Sequence, residues 1–441
     1  MAVTESSTDG SASRFSGYQA LVIGLCALVA MLDGFDTQAI AFVAPVIARD
    51  WGVPVARFGP VFAIGLFAGI VGSIACGVVA DRRGRRMTIM VTTAIFAVGS
   101  LLTPLSKGLV DLNIYRVITG IGLGGAIPSI VALSAEYSPP KLRATLVTAM
   151  FCGIPLGAVV GAVASVPLIE RFGWQAVFLA GGVAPLLLLP ALAVCLPESI
   201  GWLKAQGRTE QAETIRRRTH LPAGPLGVVE QASAHPPAKI GALLGSGRAP
   251  ATLCLWSTFF LSLLLVFFLI SWIPAIAVAQ THTPSKGAAA AALFNISGIV
   301  GSLVIGRLID KFGAFGVVAS AYVLGAVGIL AIGLGPDARA SVFVFSIVGG
   351  FFGLGAQLCV VAIASGFYPL TLRATGVGAA MGAGRFGAIA GSLVGGVLLA
   401  TVGGAAHFPP VLAGLALAAC LAVLGAGFFK RKELAAESAA V

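Results

Sequence analysis

Twelve apolar stretches, each long enough to cross a lipid bilayer, limit what this 441-residue chain can become. They run over residues 18–46, 57–80, 87–106, 112–137, 143–168, 174–196, 250–279, 287–309, 315–335, 341–366, 373–402 and 409–429. About 20 apolar residues in an α-helix span the ~30 Å hydrocarbon layer with every backbone group bonded internally. The succession therefore predicts an all-α integral membrane protein with twelve transmembrane helices. Composition agrees: 58% of the residues are hydrophobic, 10% are charged and mean hydropathy is +0.99, more apolar surface than a soluble domain can hide. A membrane β-barrel is excluded, because its strands read as ten-residue alternations rather than continuous runs.

The formal charge of +11 sits in short loops between the apolar runs, a pattern of membrane topology and not of nucleic-acid binding. With the N-terminus in the cytoplasm, that side collects 20 Lys and Arg residues, from Arg14 through Arg82, Arg83, Arg85 and Arg86, Lys141 and Lys239 to Lys432. The other side holds six, namely Arg49, Arg57, Lys107, Arg171, Lys286 and Arg339. Both termini are thus expected inside. The polar N-terminal residues carry one Arg and no cleavage site, so the first span is expected to be retained and not removed as a signal peptide. The seven cysteines lie in or beside apolar segments without a Cys-x-x-Cys pair and read as small buried residues. His282 and His407 fall in outer loops too far apart for a metal site, and no nucleophile–base pair or cofactor motif is present.

A polar segment separates the sixth and seventh stretches. It contains Arg216, Arg217, Arg218 and the Pro-rich Ala234-His235-Pro236-Pro237, and is expected to be a cytoplasmic linker with some amphipathic helix. The expected organisation is a tail over 1–17, a six-helix bundle over 18–196, the linker over 197–248, a second six-helix bundle over 249–429 and a tail over 430–441. The halves repeat. Gly77-Val-Val-Ala-Asp81-Arg-Arg-Gly84 recurs as Gly306-Arg-Leu-Ile-Asp310-Lys-Phe-Gly313, and Pro139-Pro-Lys-Leu142-Arg143-Ala144-Thr145 as Pro369-Leu-Thr-Leu372-Arg373-Ala374-Thr375. At nearly the same offset Gly157 and Gly161 correspond to Gly387 and Gly391. Parallel repeats of this kind place a substrate site between the two bundles near the midplane, exposed to each side in turn.

Charges inside the spans mark candidate site residues. An Asp at the centre of a membrane helix costs roughly 2.5–3.5 kcal/mol on insertion scales, so it is usually kept for function. Asp33 and Asp36 share a helix face with Thr37 and Ile40 and can point into one polar cavity. Burial favours a neutral carboxyl and a nearby cation favours the carboxylate, so the two could carry a coupling proton. Alternatively, one of them caps a helix broken at Gly34. Their second-half counterparts, Ser262 and Leu265, carry no charge. Arg116 and Arg385 are the two basic residues left within spans. Each has the planar fork that holds a carboxylate, and each could instead merely neutralise an Asp. The seventh span carries Trp256, Phe259, Phe260, Phe267, Phe268 and Trp272, of which one or two are expected to line the site. Gln357 and Asn295 could bond a substrate hydroxyl or simply another helix.

Asp81-Arg-Arg-Gly-Arg-Arg86 behind Gly77, its echo at Asp310, Arg116 followed by Gly120, Gly122 and Gly124, and Pro197-Glu-Ser-Ile-Gly-Trp-Leu203 resemble the major facilitator superfamily from about residue 18 to 430. Within it, Asp33-Gly-Phe-Asp-Thr-Gln-Ala-Ile40 with Phe42-Val-Ala-Pro45 resembles the aromatic acid:proton symporters, bacterial inner-membrane carriers for 4-hydroxybenzoate, protocatechuate and benzoate. The resemblance implies import of an aromatic carboxylate by alternating access, with the proton as coupling ion, no cofactor, and a monomer embedded in lipid. It assigns proton coupling to Asp33 and Asp36. From the residues themselves, substrate binding is expected of Arg385, Arg116, Gln357, Asn295 and Trp272. The resemblance also makes Asp81, Arg82, Arg85, Glu136, Arg143, Asp310 and Arg373 cytoplasmic gate contacts that hold the halves together when the carrier faces outward. Two rival readings stand beside it, an efflux antiporter for drugs or hydrophobic compounds and a sensor that binds aromatic acids without transport. The fifth span, Gly153-Ile-Pro155-Leu-Gly157, lacks the Gly-Pro-x-x-Gly-Gly signature of drug antiporters. Ile200-Gly201 follows Pro-Glu-Ser where sugar porters usually carry Pro-Arg.

Overall fold

The computed structural model describes residues 16–139, 142–219, 240–245, 247–333, 338–369, 372–401 and 408–439. Among them, twelve helices are long and apolar enough to cross a membrane: Gly17–Asp50, Val55–Arg83, Arg85–Leu105, Leu109–Tyr137, Thr145–Phe172, Gln175–Cys195, Ala249–Thr281, Pro284–Phe312, Ala314–Ile332, Val342–Val361, Thr375–Ala400 and Phe408–Glu433. These are called the first to twelfth spans below. Arg14, Lys141, Lys239, His407, the Pro-rich part of the linker and the outermost tail residues lie outside the described residues. The described linker contains the helices Ile200–Ala205, Thr209–Thr219 and Ile240–Leu244.

Local chemistry sets the helix ends. Ser16 opens the first span with a capping box, its hydroxyl accepting from Gln19 N while the Gln19 side chain accepts from Ser16 N. The sequence repeat reappears in the backbone. Gly84 and Gly313, equivalent in the two halves, both adopt positive φ (96° and 87°), which lets the chain turn sharply from one span into the next. Equivalent turns follow the fourth and tenth spans, where Leu142 N donates to Pro139 O and Leu372 N to Pro369 O.

Close helix packing follows the same symmetry. A Cβ on Gly157 would fall 1.8 Å from Met31 O, and one on Gly387 would fall 2.0 Å from Phe260 O. The fifth span thus lies backbone to backbone on the first, as the eleventh does on the seventh, an approach only glycine permits. Gly34 belongs to this seam, since a Cβ there would meet Ile154 O at 1.9 Å. The first helix runs unbroken through it, so the alternative of an Asp capping a break at Gly34 is corrected: the glycine serves packing.

The first six spans pack mainly on one another, and so do the last six. Where the two sets meet, the second span touches the eleventh, the fifth the eighth, and the first the seventh. These contacts lie in the half of the bundle away from the chain termini. Gly59 rests against Ser392 and Gly396, while Phe42, Ala162, Ala288, Ala291 and Ala292 form a buried apolar cluster. At the terminal side Asp81, Arg82, Asp310 and Arg373 are exposed, and among the described residues no salt bridge joins the two sets. The protein is closed on the far side and parted on the side of its termini.

Candidate functional site

Between the two sets lies a cavity of about 380 Å³. Its far end is roofed by Val61, Phe62 and Ile270, and towards the terminal side its wall continues through Ile127, Ile154, Val361 and Met381. Polar groups gather at mid-depth. The first span contributes Asp33, Asp36 and Thr37, all on the face with Ile40 that the helical spacing predicts. Arg116 and Thr119 come from the fourth span, Ser271 from the seventh, Gln357 from the tenth, and Arg385 and Ser392 from the eleventh.

The two acids differ in their surroundings. Asp36 is fully buried, and its Oδ2 accepts from Arg116 Nη1 at 3.0 Å while the Ser100 hydroxyl donates to its Oδ1. Arg116, 4% exposed, gives its Nη2 to the hydroxyls of Thr103 and Thr119 at 3.3 and 3.4 Å and lies 5.0 Å from the centroid of the Phe178 ring. This network fills most of the guanidinium fork. Asp33, one turn away, is only partly buried and accepts a single long hydrogen bond, 3.5 Å, from Thr37. It lies within electrostatic reach of Arg385. Arg385 itself makes no hydrogen bond or salt bridge to any described residue, so its fork is open to the cavity.

Phe259 and Phe267 of the seventh span line the cavity, with Phe62 opposite. Two expected substrate ligands stand outside the wall, and the expectation is corrected for both. Trp272 is completely buried, donating its Nε1–H to Ser392 O at 3.0 Å and packing edge-on against Phe62. It therefore supports the roof from behind. Asn295 is 1% exposed and forms a reciprocal amide pair with Gln38: Asn295 Nδ2 donates to Gln38 Oε1 at 3.0 Å, and Gln38 Nε2 donates to Asn295 Oδ1 at 3.1 Å. This is the helix–helix alternative, and it joins the first span to the eighth.

The expected gate residues occupy the terminal side. Glu136 accepts from Arg85 Nη1 at 3.1 Å and from Gly201 N of the linker. Glu198 of the Pro-Glu-Ser element was not foreseen as part of this cluster. Its Oε1 accepts from the backbone N–H groups of Arg85 and Arg86 at 2.8 and 3.2 Å, so it caps the third span and holds the linker against it. Trp202 Nε1 donates to Asp81 O, and Tyr137 Oη to Glu198 O. Arg143 is half-buried with its Nε unpartnered. Among the described residues no group of His, Cys, Asp and Glu is arranged to hold a metal ion.

A profile of the Major Facilitator Superfamily matches residues 26–356. The gallate transporter of Pseudomonas putida is 35% identical over 96% of this chain and 95% of its own length. The 4-hydroxybenzoate transporter PcaK of Pseudomonas aeruginosa is 35% identical over 93% and 92%, and the 3-(3-hydroxy-phenyl)propionate transporter of Escherichia coli is 35% identical over 90% and 93%. In fold, the chain is similar to the xylose transporter XylE of E. coli in its inward-open conformation (TM-score 0.70, 19% identity, covering 92% of this chain and 95% of that one). It is also similar to a bacterial homologue of the lysosomal transporter Spinster (TM-score 0.63, 18% identity, 95% and 97%). With the superfamily profile on three quarters of its length and such relatives end to end, this chain is a multi-pass membrane protein of the Major Facilitator Superfamily, a transporter and not an enzyme, in the group that contains these aromatic-acid carriers.

Proposed function

We propose that the protein imports an aromatic carboxylate together with protons. The observation that carries the reading is the open guanidinium of Arg385 in a cavity walled by Phe259, Phe267 and Phe62, with Asp33 nearby. A carboxylate takes the fork of Arg385 while its ring lies against the aromatic wall. The gallate and 4-hydroxybenzoate carriers among its relatives support this substrate class.

Coupling follows from charge balance. Arg385 can neutralise one anion. With the cavity empty, that anion is the Asp33 carboxylate. When a substrate carboxylate takes its place, Asp33 is left as a second negative charge in a poorly solvated site and binds a proton. Substrate and proton thereby favour each other's binding, the reciprocity that symport requires.

The two sets of spans, bounded at 18–196 and 249–429, rock about this site as domains, with 197–248 as the tether. The present conformation corresponds to the state facing the termini, which we assign to the cytoplasm from the positive-inside excess. The chain then resides in a bacterial inner membrane and works as a monomer. In the opposite state Asp81, Arg82, Arg143, Asp310 and Arg373 approach across the cytoplasmic side, and the Arg85–Glu136 pair braces that surface.

Uptake of radiolabelled 4-hydroxybenzoate into proteoliposomes tests the proposal. An inward-directed proton gradient should drive accumulation that a protonophore abolishes. Accumulation indifferent to the gradient, or expulsion of the acid against it, would contradict symport.

A further inference from the structure

Most polar side chains on the cavity wall already have partners. Asp36 is engaged by Arg116, the Thr119 hydroxyl donates to Tyr115 O at 2.9 Å, and the hydroxyls of Ser271 and Ser392 bond each other at 3.1 Å. Gln357 does not follow this pattern. Its side chain lines the cavity at 7% exposure, and its Oε1, itself buried, has no hydrogen-bond partner. A buried amide oxygen left unpaired is costly, and a ligand group that donates a hydrogen bond to it removes that cost.

The backbone holds Gln357 in this position. Immediately before its helix, Gly349–Leu354 forms a π-helical turn whose extra residue resets which face the following residues present. That turn is pressed onto the eighth span: a Cβ on Gly350 would lie 2.1 Å from Phe294 O, and one on Gly355 would lie 2.9 Å from the Gly301 carbonyl carbon. This packing fixes the backbone of the segment, and with it the helix face from which Gln357 projects.

We infer that Gln357 is a specificity-determining residue that hydrogen-bonds a ring hydroxyl of the substrate, so that the cavity selects hydroxylated aromatic carboxylates over unsubstituted ones. The inference rests on the reading that the cavity takes an aromatic carboxylate. A phenolic hydroxyl both donates and accepts, so it satisfies either end of the amide, whereas a ring C–H satisfies neither. A site built to bond a hydroxyl rejects the analogue lacking it more strongly than an apolar pocket rejects a small change in size.

Equilibrium binding of benzoate, 3-hydroxybenzoate and 4-hydroxybenzoate to the purified full-length protein tests this, in the wild type and in Gln357→Leu and Gln357→Met. The wild type should bind the better hydroxybenzoate at least ~10-fold more tightly than benzoate, the preference expected of one good hydrogen bond. In both variants that ratio should fall to within about twofold of unity, within the usual scatter of such effects. Each ratio is taken within one preparation, so partial unfolding of a variant does not change it. A hydroxyl preference that survives both substitutions, or is absent from the wild type, overturns the inference and leaves the transport reading intact. A wild type that binds none of the three acids overturns the transport reading and the inference with it.

Discussion

Two acid–base pairs of the same chemistry occupy this cavity in opposite ways. Asp36 and Arg116 are both in the first half, buried, in contact at 3.0 Å, and surrounded by Ser100, Thr103, Thr119 and Phe178. Asp33 and Arg385 come from different halves, and each is open to the cavity. A satisfied buried pair resists change, because removing either partner strands the other charge in a medium that cannot solvate it. An unsatisfied pair across a domain boundary can exchange its partner for a ligand. On the proposed function, the first pair is a fixed element of the first bundle, and the second is where substrate and proton act.

Substitutions can break this distinction. The largest effect on binding is expected for Arg385→Ala, which removes the open cation: aromatic acid affinity should drop about 100-fold, as for loss of a charge-assisted hydrogen bond, with Arg385→Lys recovering part of it. An Arg385→Ala protein that still binds the acid with wild-type affinity would move the anion site elsewhere.

Single substitutions in the closed pair act on the stability of the fold instead. Asp36→Asn or Arg116→Gln should each destabilise the fold by about 3–5 kcal/mol, the usual result of leaving a buried charge alone. The double variant should melt above either single. Thermal melting of the three proteins measures the coupling, and a wild-type melting curve for Asp36→Asn would show that the pair is not structural.

The smallest effect concerns the Gln38–Asn295 amide pair, which joins the halves on the far side. Polar contacts between membrane helices average about 0.6 kcal/mol, so Gln38→Leu should shift the population towards far-side opening by only about threefold. Maleimide labelling of Ala292→Cys, in a background without the native cysteines, would report that shift as faster modification. No change in rate would mean that the apolar seam alone closes this side.

The residues that could be read from the sequence are those whose presence in a membrane is expensive. Asp33, Asp36, Arg116 and Arg385 stood out because each is a charge in a span, and all four line the cavity. The repeat was legible because its turns need particular residues, and Gly84 and Gly313 carry the positive φ that explains them. Neutral polar and aromatic residues gave no such signal. Which way Asn295, Trp272 or Gln357 faces depends on which helix packs against it, and a span apolar on every side leaves that open. The pairing of Asp36 rather than Asp33 with Arg116 was hidden for the same reason, since a single helical turn separates the two acids. Glu198 was missed because a cap on the third span supplied from beyond the sixth can be seen only in three dimensions.

The assignment of the proton to Asp33 is tested most directly by one protein, Asp33→Asn, in one proteoliposome preparation. Proton-driven accumulation and substrate counterflow without a gradient are measured side by side. Accumulation should be lost while counterflow continues, because a neutral amide leaves Arg385 free for the substrate but carries no proton. Gradient-driven accumulation at the wild-type level would contradict it.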